Sequence, residues 1–364
     1  MINLLIKAGY PFATFRLPGE HEFVNIVQND REELTFRLPE LTDLRGFVMA
    51  PFDLAGGSPA RFVRHDVSYT WLPGYEDAGA VALPDSLPSP AMPYEAGKEE
   101  YLERIKHIKK KIEAGKVRKV VLSRAKVIQL PAEFDFTGFF THLASSYPDA
   151  FIFFVHIPGA GSWAGATPEI LLHRTGRYYE TAALAGTLPL DGEQSPPAWS
   201  EKEREEQHIV EEYIRQALEG AGFRPVEKEG PHTLIAGQMA HLETLFRVPL
   251  PKERDRVSRL LEALHPTPAV CGEPREEAFR IIREIEGYDR TYYTGFLGPW
   301  NTPYPTQLYV HLRSMHFVAG TRKAILYAGG GITAASDPQQ EWEETVLKLR
   351  TMLSVLEKLP NFTG

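Results

Sequence analysis

The hydrophobic and polar positions of this chain repeat with two periods, one typical of helices and one typical of strands. Apolar residues recur every three or four positions between Tyr101 and Ile112, which predicts an amphipathic helix that Gly115 ends. Further helices are predicted at 201–219, 254–264 and 275–285 and in the segment that follows Pro338.

Shorter apolar runs, many alternating with polar residues, predict strands. They include EFVNIV and GFVMAPF in the first ninety residues, and KVVLSRAKVIQL and AFIFFVHI further on. Turns at Thr175–Gly176 and Gly320–Thr321 predict hairpins between such runs. Because strands and helices alternate irregularly, we expect an α+β fold with mainly antiparallel sheet.

Composition and charge limit the class of protein. With 43% hydrophobic residues among 364, the chain can bury a large core, in one domain or in two closely packed ones. A net charge of −8 argues against nucleic acid or an anionic membrane as the partner. Cys271 is the only cysteine, which excludes disulfide scaffolds and cysteine-based zinc sites. We find no signal peptide and no stretch long enough to span a membrane, so a cytoplasmic protein is expected.

The last predicted helix carries the strongest indication of chemistry. The glycines at 329–331 precede it, and Glu341, Glu344 and Lys348 share one face of it. Glycines allow backbone amides to approach an anion, while two carboxylates can hold a hard cation such as Mg²⁺. The pattern predicts a pocket for a small anionic substrate that needs a metal. A solvent-exposed helix face has the same spacing, and this alternative stays open.

A second acidic stripe lies on the helix predicted at 201–219. Glu203 and Glu206 share a face with Val210, so carboxylates continue an apolar stripe. Buried carboxylates are costly unless they are paired or bind a metal, although the helix dipole alone also favours glutamate in a first turn. If this helix faces the last one, four carboxylates converge, and we expect that density to require a divalent cation or protonation.

Two further residues are candidates for proton transfer. Lys119 opens a β-branched strand, where burial could make it a general base, although a lysine at a strand start usually points to water. Glu169 follows Thr167–Pro168 at the entrance to an apolar strand, where a raised pKa would suit a general acid.

Six segments, taken in chain order, resemble the chorismate-utilising enzymes: KVVLSR, ATPEILLHR, LAGT, HPTPAVCG, YTGFLG and AGGGITAASDPQQEWEETVLK. The resemblance covers residues 98–357 and is closest to the members that form isochorismate. It implies two large antiparallel sheets packed together, with helices on the outside. The linker at 83–97 would then separate a strand-rich N-terminal part, residues 1–95, from the chorismate-binding catalytic region, residues 96–364, within one unit.

The resemblance also implies a reaction, the reversible conversion of chorismate to isochorismate, in which water attacks C2 and the C4 hydroxyl leaves. Lys119 matches the base that activates the water, and Glu169 matches the acid that protonates the departing hydroxyl. Mg²⁺ would be the cofactor, and its ligands match Glu206 and Glu344, with Glu203 and Glu341 as supporting carboxylates.

Other positions match substrate-binding residues of the family. Those expected to hold the carboxylate groups of chorismate are Tyr293, Arg313, Gly329, Gly330 and Lys348. Those expected near the ring are Thr187, His241 and Ala269. Tyr293 could instead be a core aromatic residue and His241 an interior histidine.

Two departures from the family pattern concern substrate positioning. The usual Glu-His pair is Glu206-Gln207 here, so the supporting role of the histidine is lost or passes to His208. Thr294–Leu297 replaces an Ala-Gly-Pro stretch and makes that wall more apolar.

Several alternatives remain at this stage. Lys119 favours water over ammonia as the nucleophile, so a salicylate synthase is the second expectation and an amine-transferring enzyme the third. A non-catalytic chorismate-binding protein is the alternative from a different class. Chorismate is the only partner expected, without nucleic acid, membrane or an obligatory protein. The sequence does not decide whether the product is used for menaquinone or for siderophore synthesis. It does not decide the oligomeric state either.

Overall fold

The computed structural model describes residues 1–72, 79–81, 92–189, 198–236, 239–251, 256–359 and 362. Within them the strands are β1 Phe12–Arg16, β2 Phe23–Val27, β3 Leu34–Phe36, β4 Gly46–Ala50, β5 Ala60–Arg64, β6 Val67–Trp71, β7 Lys119–Gln129, β8 Phe151–Ile157, β9 Gly161–Thr167, β10 Ile170–Thr175, β11 Tyr178–Pro189, β12 Glu227–Ala236, β13 Met239–Pro249, β14 Gly272–Glu273, β15 Phe296–Trp300, β16 Gln307–Val310, β17 Ser314–Val318 and β18 Lys323–Ile332. The helices are α1 Ile2–Ala8, α2 Lys98–Glu113, α3 Phe136–Ser146, α4 Glu201–Gly220, α5 Arg256–Leu264, α6 Arg275–Glu286 and α7 Pro338–Leu356, with short 3₁₀ helices at Leu38–Asp43 and Pro158–Ala160.

The strands form two antiparallel sheets. The first has the order β14-β7-β18-β17-β9-β8-β1-β2-β6, and the second has the order β12-β13-β11-β10-β16-β15-β4-β5-β3. Strands from residues 1–95 lie in both sheets, next to strands of the later region, while the division at residue 95 stays a prediction. Most of the linker expected at 83–97 lies outside the described residues.

Aromatic residues pack the two sheets face to face. The rings of Phe151 on β8 and Tyr309 on β16 stack with centroids 4.1 Å apart, and Phe15 on β1 packs against Phe47 on β4. Helices α3 and α7 bury apolar residues on the outer face of the first sheet, and α4 and α5 do so on the second. The predicted α+β class, with two packed antiparallel sheets and outer helices, is confirmed.

Two helices lie where sequence periodicity did not predict them. Helix α1 is only seven residues long, and α3 is rich in phenylalanine, which is equally common in strands. The side chain of Asp135 starts α3 by accepting a hydrogen bond from Gly138 N. Among the described residues, no helix is both long enough and apolar enough to cross a membrane.

The glycines at 329–331 lie near the C-terminal end of a strand. They belong to β18 and pair with β7, with Gly330 opposite Leu122. On the other side of β18, the pairing with β17 extends only to Leu326. One edge of the glycine segment is therefore free of a neighbouring strand in the described structure, and amides there can face a ligand.

Candidate active site

Lys119 is the first residue of β7, and its side chain is completely buried. The Nζ atom lies 2.8 Å from Glu206 Oε1 on α4. Among the described residues Nζ has no well-aligned hydrogen bond, so this ion pair is its principal contact. Lys119 therefore does not point to water, and its ammonium lies against an acidic residue at the end of the sheet.

Glu169 lies between β9 and β10, where its side chain is buried. Its backbone is fixed on both sides, since its N–H donates to Thr167 Oγ1 and its carbonyl accepts from Val310 N. Burial raises the pKa of Glu169 to about 8, although the charges of Lys119 and Lys348 oppose the shift. The carboxyl group is thus mainly protonated at neutral pH and can donate a proton.

Glu206 lies close to β18 from the side of α4. Burial favours its neutral form, but the charges of Lys119 and Lys202 outweigh that effect and lower the pKa of Glu206. A β-carbon on Gly331 would lie 2.2 Å from Glu206 Oε1, so the two residues face each other without a side chain between them.

Two carboxylates of α7 approach the neighbouring glycine. A β-carbon on Gly330 would lie 3.0 Å from Glu341 Oε2 and 3.8 Å from Glu344 Oε1. Burial and the charge of Glu344 raise the pKa of Glu341 to about 7, and Lys202 opposes the shift. Lys348 Nζ contacts Glu344 Oε1 at 2.6 Å and donates to the carbonyl oxygen of Gly329 at 2.9 Å.

Glu203 is held by its own helix. Its carboxylate accepts hydrogen bonds from the backbone N–H and the hydroxyl of Ser200, which forms a capping box at the start of α4. The capping box fixes the Glu203 carboxylate at the start of α4, and its role as a supporting metal ligand stays a prediction.

Lysines pair with three carboxylates of the acidic cluster, and the expectation that its density requires a metal or protonation stays a prediction. The ion pairs are Lys119–Glu206, Lys202–Glu341 and Lys348–Glu344. Within the described part of the chain, no three His, Cys, Asp or Glu side chains are already arranged to hold a metal ion. The sequence analysis missed Lys202, although a lysine in the first turn of a helix, where the dipole disfavours it, was a usable signal.

His241 and Arg313 face each other across the site. Arg313 Nη2 lies 3.5 Å from His241 Nε2, while His241 Nδ1 lies 3.2 Å from the carbonyl oxygen of Gly186. Burial, followed by the charges of Arg313 and Lys348, lowers the pKa of His241 well below its usual value. The histidine is therefore neutral, with Nδ1–H donating to Gly186 and Nε2 turned toward the guanidinium.

Two residues that line this site have a strained backbone. Thr294 and Arg313 both have positive φ angles, 62° and 46°, although neither is a glycine. Such conformations cost free energy and are commonly kept where they serve a site. The ring of Tyr293, next to Thr294, stacks on Tyr327 with centroids 4.9 Å apart.

One cavity brings most of the predicted residues together. Its lining includes Glu169, Glu206, His241, Ala269, Tyr293, Arg313, Gly329 and Lys348, and also Gly186, Thr294 and Gly331. Four predicted residues lie behind this lining. Lys119 contacts Glu206 and Glu344 contacts Lys348, while Gly330 follows Gly329 and lies beside Glu341. The backbone of Thr187 pairs with His241, whereas its side chain lies outside the described structure.

Gln207 is the buried residue next to Glu206, and His208 is exposed. The amide of Gln207 accepts from Ala185 N at 2.9 Å and donates to Ala183 O at 3.0 Å and to Thr244 Oγ1 at 3.1 Å. These bonds hold β11 beside the irregularity that carries Gly186. Gln207 therefore makes these buried contacts, whereas His208 is exposed.

A family model described as chorismate binding enzyme matches residues 81–357. The chain therefore belongs to the family of chorismate-binding enzymes, as the sequence resemblance indicated. Isochorismate synthase 2, chloroplastic, of Arabidopsis thaliana is 35% identical over 246 residues, which are 66% of this chain and 43% of that protein. The isochorismate synthase EntC of Escherichia coli is 31% identical over 246 residues, which are 66% of this chain and 62% of that protein.

Each of these matches spans less than two thirds of the relative's own length. The structure of MenF, the menaquinone-specific isochorismate synthase from Escherichia coli, aligns with a TM-score of 0.76 at 23% identity. That alignment covers 95% of this chain and 88% of the MenF chain, and it shows the same fold.

Proposed function

We propose that this protein is an isochorismate synthase, an isomerase that interconverts chorismate and isochorismate. The observation that carries the proposal is a buried, protonated acid, Glu169, in the lining of a cavity that also presents Arg313 and Lys348. The buried Lys119 lies directly behind that lining, where it contacts Glu206. The substrate is a dicarboxylate, and Arg313 and Lys348 supply charge for its recognition.

Lys119 and Glu169 divide the proton transfers between them. In its neutral amine form, Lys119 takes a proton from water as the oxygen bonds to C2, and the two ring double bonds shift. Glu169 gives its proton to the C4 hydroxyl, which departs as water when the C4–O bond breaks. Protons and electron pairs balance without any redox partner, and each positioned group contributes a factor of about 10² to 10⁴ in rate.

The acidic cluster also fits a role in holding Mg²⁺. Glu206, Glu341 and Glu344 surround Gly330 and Gly331, and neither oxygen of Glu341 accepts a well-aligned hydrogen bond in the described structure. Carboxylate oxygens are the ligands that Mg²⁺ prefers, and Glu203 would support them from the start of α4. When bound, Mg²⁺ would neutralise and orient a carboxylate of the substrate.

The remaining residues of the cavity would bind and orient chorismate. Arg313, Lys348 and the free edge of Gly329–Gly331 would hold its carboxylates, while neutral His241, which lines the same cavity, would face the ring. Tyr293 and Ala269 complete the wall. Neither group assigned to proton transfer is needed for this recognition.

The test is product analysis by NMR after incubating the purified protein with chorismate, with and without Mg²⁺. We expect isochorismate in equilibrium with chorismate, only when Mg²⁺ is present. Salicylate with pyruvate, or an aminated product when ammonia is added, would identify the other family reactions instead. Chorismate binding without turnover would identify a non-catalytic binding protein, and Glu169→Gln prepared in parallel controls for contaminating activity.

A further inference from the structure

Lys202 lies at the centre of the acidic cluster, although no step of the proposed reaction uses it. Its Nζ atom is 2.9 Å from Glu341 Oε1 and 4.0 Å from Glu203 Oε1. The side chain is only 18% exposed. Burial lowers the pKa of Lys202, but the charges of Glu341, Glu344 and Glu206 outweigh that effect and raise it.

The position of Lys202 is fixed by the helix that carries it. The capping box of Ser200 and Glu203 defines the start of α4, and Lys202 lies between them in the first turn. The helix dipole disfavours a cation there, so the lysine remains because the surrounding carboxylates offset that cost. Neither Glu341 oxygen accepts a well-aligned hydrogen bond in the described structure, so the ion pair with Lys202 is the principal contact of this carboxylate.

We propose that Lys202 is an internal counter-ion that occupies the place of the divalent cation in the metal-free protein and competes with it. This inference rests on the proposed function for the metal itself. Four carboxylates face three ammonium groups, those of Lys119, Lys202 and Lys348, which leaves one formal negative charge. Mg²⁺ binding requires the Lys202 ammonium to leave Glu341, and its repulsion weakens the metal complex as long as it stays nearby.

The test is Mg²⁺ titration by calorimetry without chorismate, so that the readout does not depend on turnover. Lys202→Met keeps the length of the side chain and removes its charge. We expect this variant to bind Mg²⁺ roughly tenfold more tightly or better than the wild type. Its metal-free form should melt at a lower temperature, because Glu341 loses its counter-ion, and saturating Mg²⁺ should remove most of that difference.

Two controls keep the interpretation specific. Lys228 on β12 pairs at 2.7 Å with Glu211, a residue of α4 outside the acidic cluster. Lys228→Met removes this lysine and should leave Mg²⁺ affinity unchanged. Lys202→Arg keeps the charge and should keep the weaker affinity of the wild type. If Lys202→Met binds Mg²⁺ as tightly as the wild type or more weakly, Lys202 does not compete with the metal, and the proposed function is unaffected. Absence of Mg²⁺ uptake by every variant, together with turnover that does not need Mg²⁺, would overturn the metal in the proposed function as well.

Discussion

Gly331 on β18 and Glu206 on α4 approach so closely that a β-carbon at position 331 would lie 2.2 Å from Glu206 Oε1. The same β-carbon would lie 2.7 Å from Lys119 Cε. Glycine is therefore required here for space and not for backbone conformation, since the residue pairs regularly with Val121 in the sheet. The contact places the proposed base, a proposed metal ligand and the sheet backbone within one small volume.

Gly331→Ala should reduce chorismate turnover by roughly 100-fold or more, because the methyl group displaces Glu206 and Lys119 from their positions. The strand should still form, so circular dichroism should match that of the wild type. Gly220→Ala is the matched control, since a β-carbon at this end of α4 meets no atom within 4 Å and activity should be unchanged. Full activity of Gly331→Ala would show that the two side chains are free to move without consequence.

Lys119→Ala and Glu169→Gln should each lower turnover by about two to four orders of magnitude, the usual contribution of a positioned proton-transfer group. The affinity for chorismate should change much less, because its carboxylates are assigned to other residues. The loss should therefore appear in kcat and not in the dissociation constant measured by calorimetry. Near-normal kcat in Lys119→Ala would remove this lysine from the mechanism.

Glu169 predicts how the rate depends on pH. Because the pKa of Glu169 is raised to about 8, the acid is available at neutral pH and is lost as the pH rises through that value. The wild-type kcat should accordingly fall on the alkaline side, near pH 8. A steady-state profile between pH 6 and pH 9.5 tests this, and a rate that stays level to the upper limit argues for another acid.

The same group links stability to pH. The native state keeps the proton of Glu169 up to about pH 8, whereas the unfolded chain releases it near the usual value of 4.5. The contribution of Glu169 to the free energy of unfolding is therefore complete below pH 4.5, and it is lost as the pH rises from 4.5 to about 8. Relative to Glu169→Gln, the wild type should lose on the order of a few kcal/mol of unfolding free energy from pH 5 to pH 8. Denaturant titrations at both pH values check the sign, and parallel changes in the two proteins would exclude Glu169 as the source.

Glu286 on α6 forms a fully buried ion pair with Arg290. Arg290 Nε donates to Glu286 Oε2 at 2.8 Å, and the same guanidinium donates to the carbonyl oxygens of Val121 and Val270. Glu286→Gln leaves a buried charge without its partner and should cost about 3–5 kcal/mol of stability. Glu277→Gln breaks an exposed pair on the same helix and should leave the stability nearly unchanged. Chemical unfolding of the three proteins distinguishes these outcomes.

Gln207→Leu should leave Ala185 N–H buried without a partner, at a cost of about 1–3 kcal/mol. Since Gln207 holds β11 beside Gly186, which in turn contacts His241, KM for chorismate should rise more than kcat falls. Gln216→Leu on the exposed side of α4 is the control and should affect neither parameter. A change in stability with unaltered KM would limit Gln207 to a structural role.

Much of the fold could be predicted because local patterns agree with tertiary packing. Helix α2 buries Tyr101, Ile105 and Ile108 as their spacing predicts, and Gly115 follows its end with a φ of 68°. Helix α3 was not predicted, since its aromatic residues suit either a helix or a strand until a neighbouring surface selects one. The strand conformation of the glycines at 329–331 follows from the pairing with β7, because glycine itself has a low strand propensity.

The sequence by itself determined the family, the fold class and the identity of most residues around the cavity, because these depend on ordered motifs and periodicity. Only the tertiary structure decided how the charges are paired. The three lysines, Lys119, Lys202 and Lys348, lie far apart along the chain or on different elements. Each meets its glutamate partner only where α4, α7 and the edge formed by β7 and β18 come together. Burial at that meeting point sets the pKa of Glu169 and turns a cluster of like charges into three ion pairs, since a carboxylate removed from water needs a counter-ion.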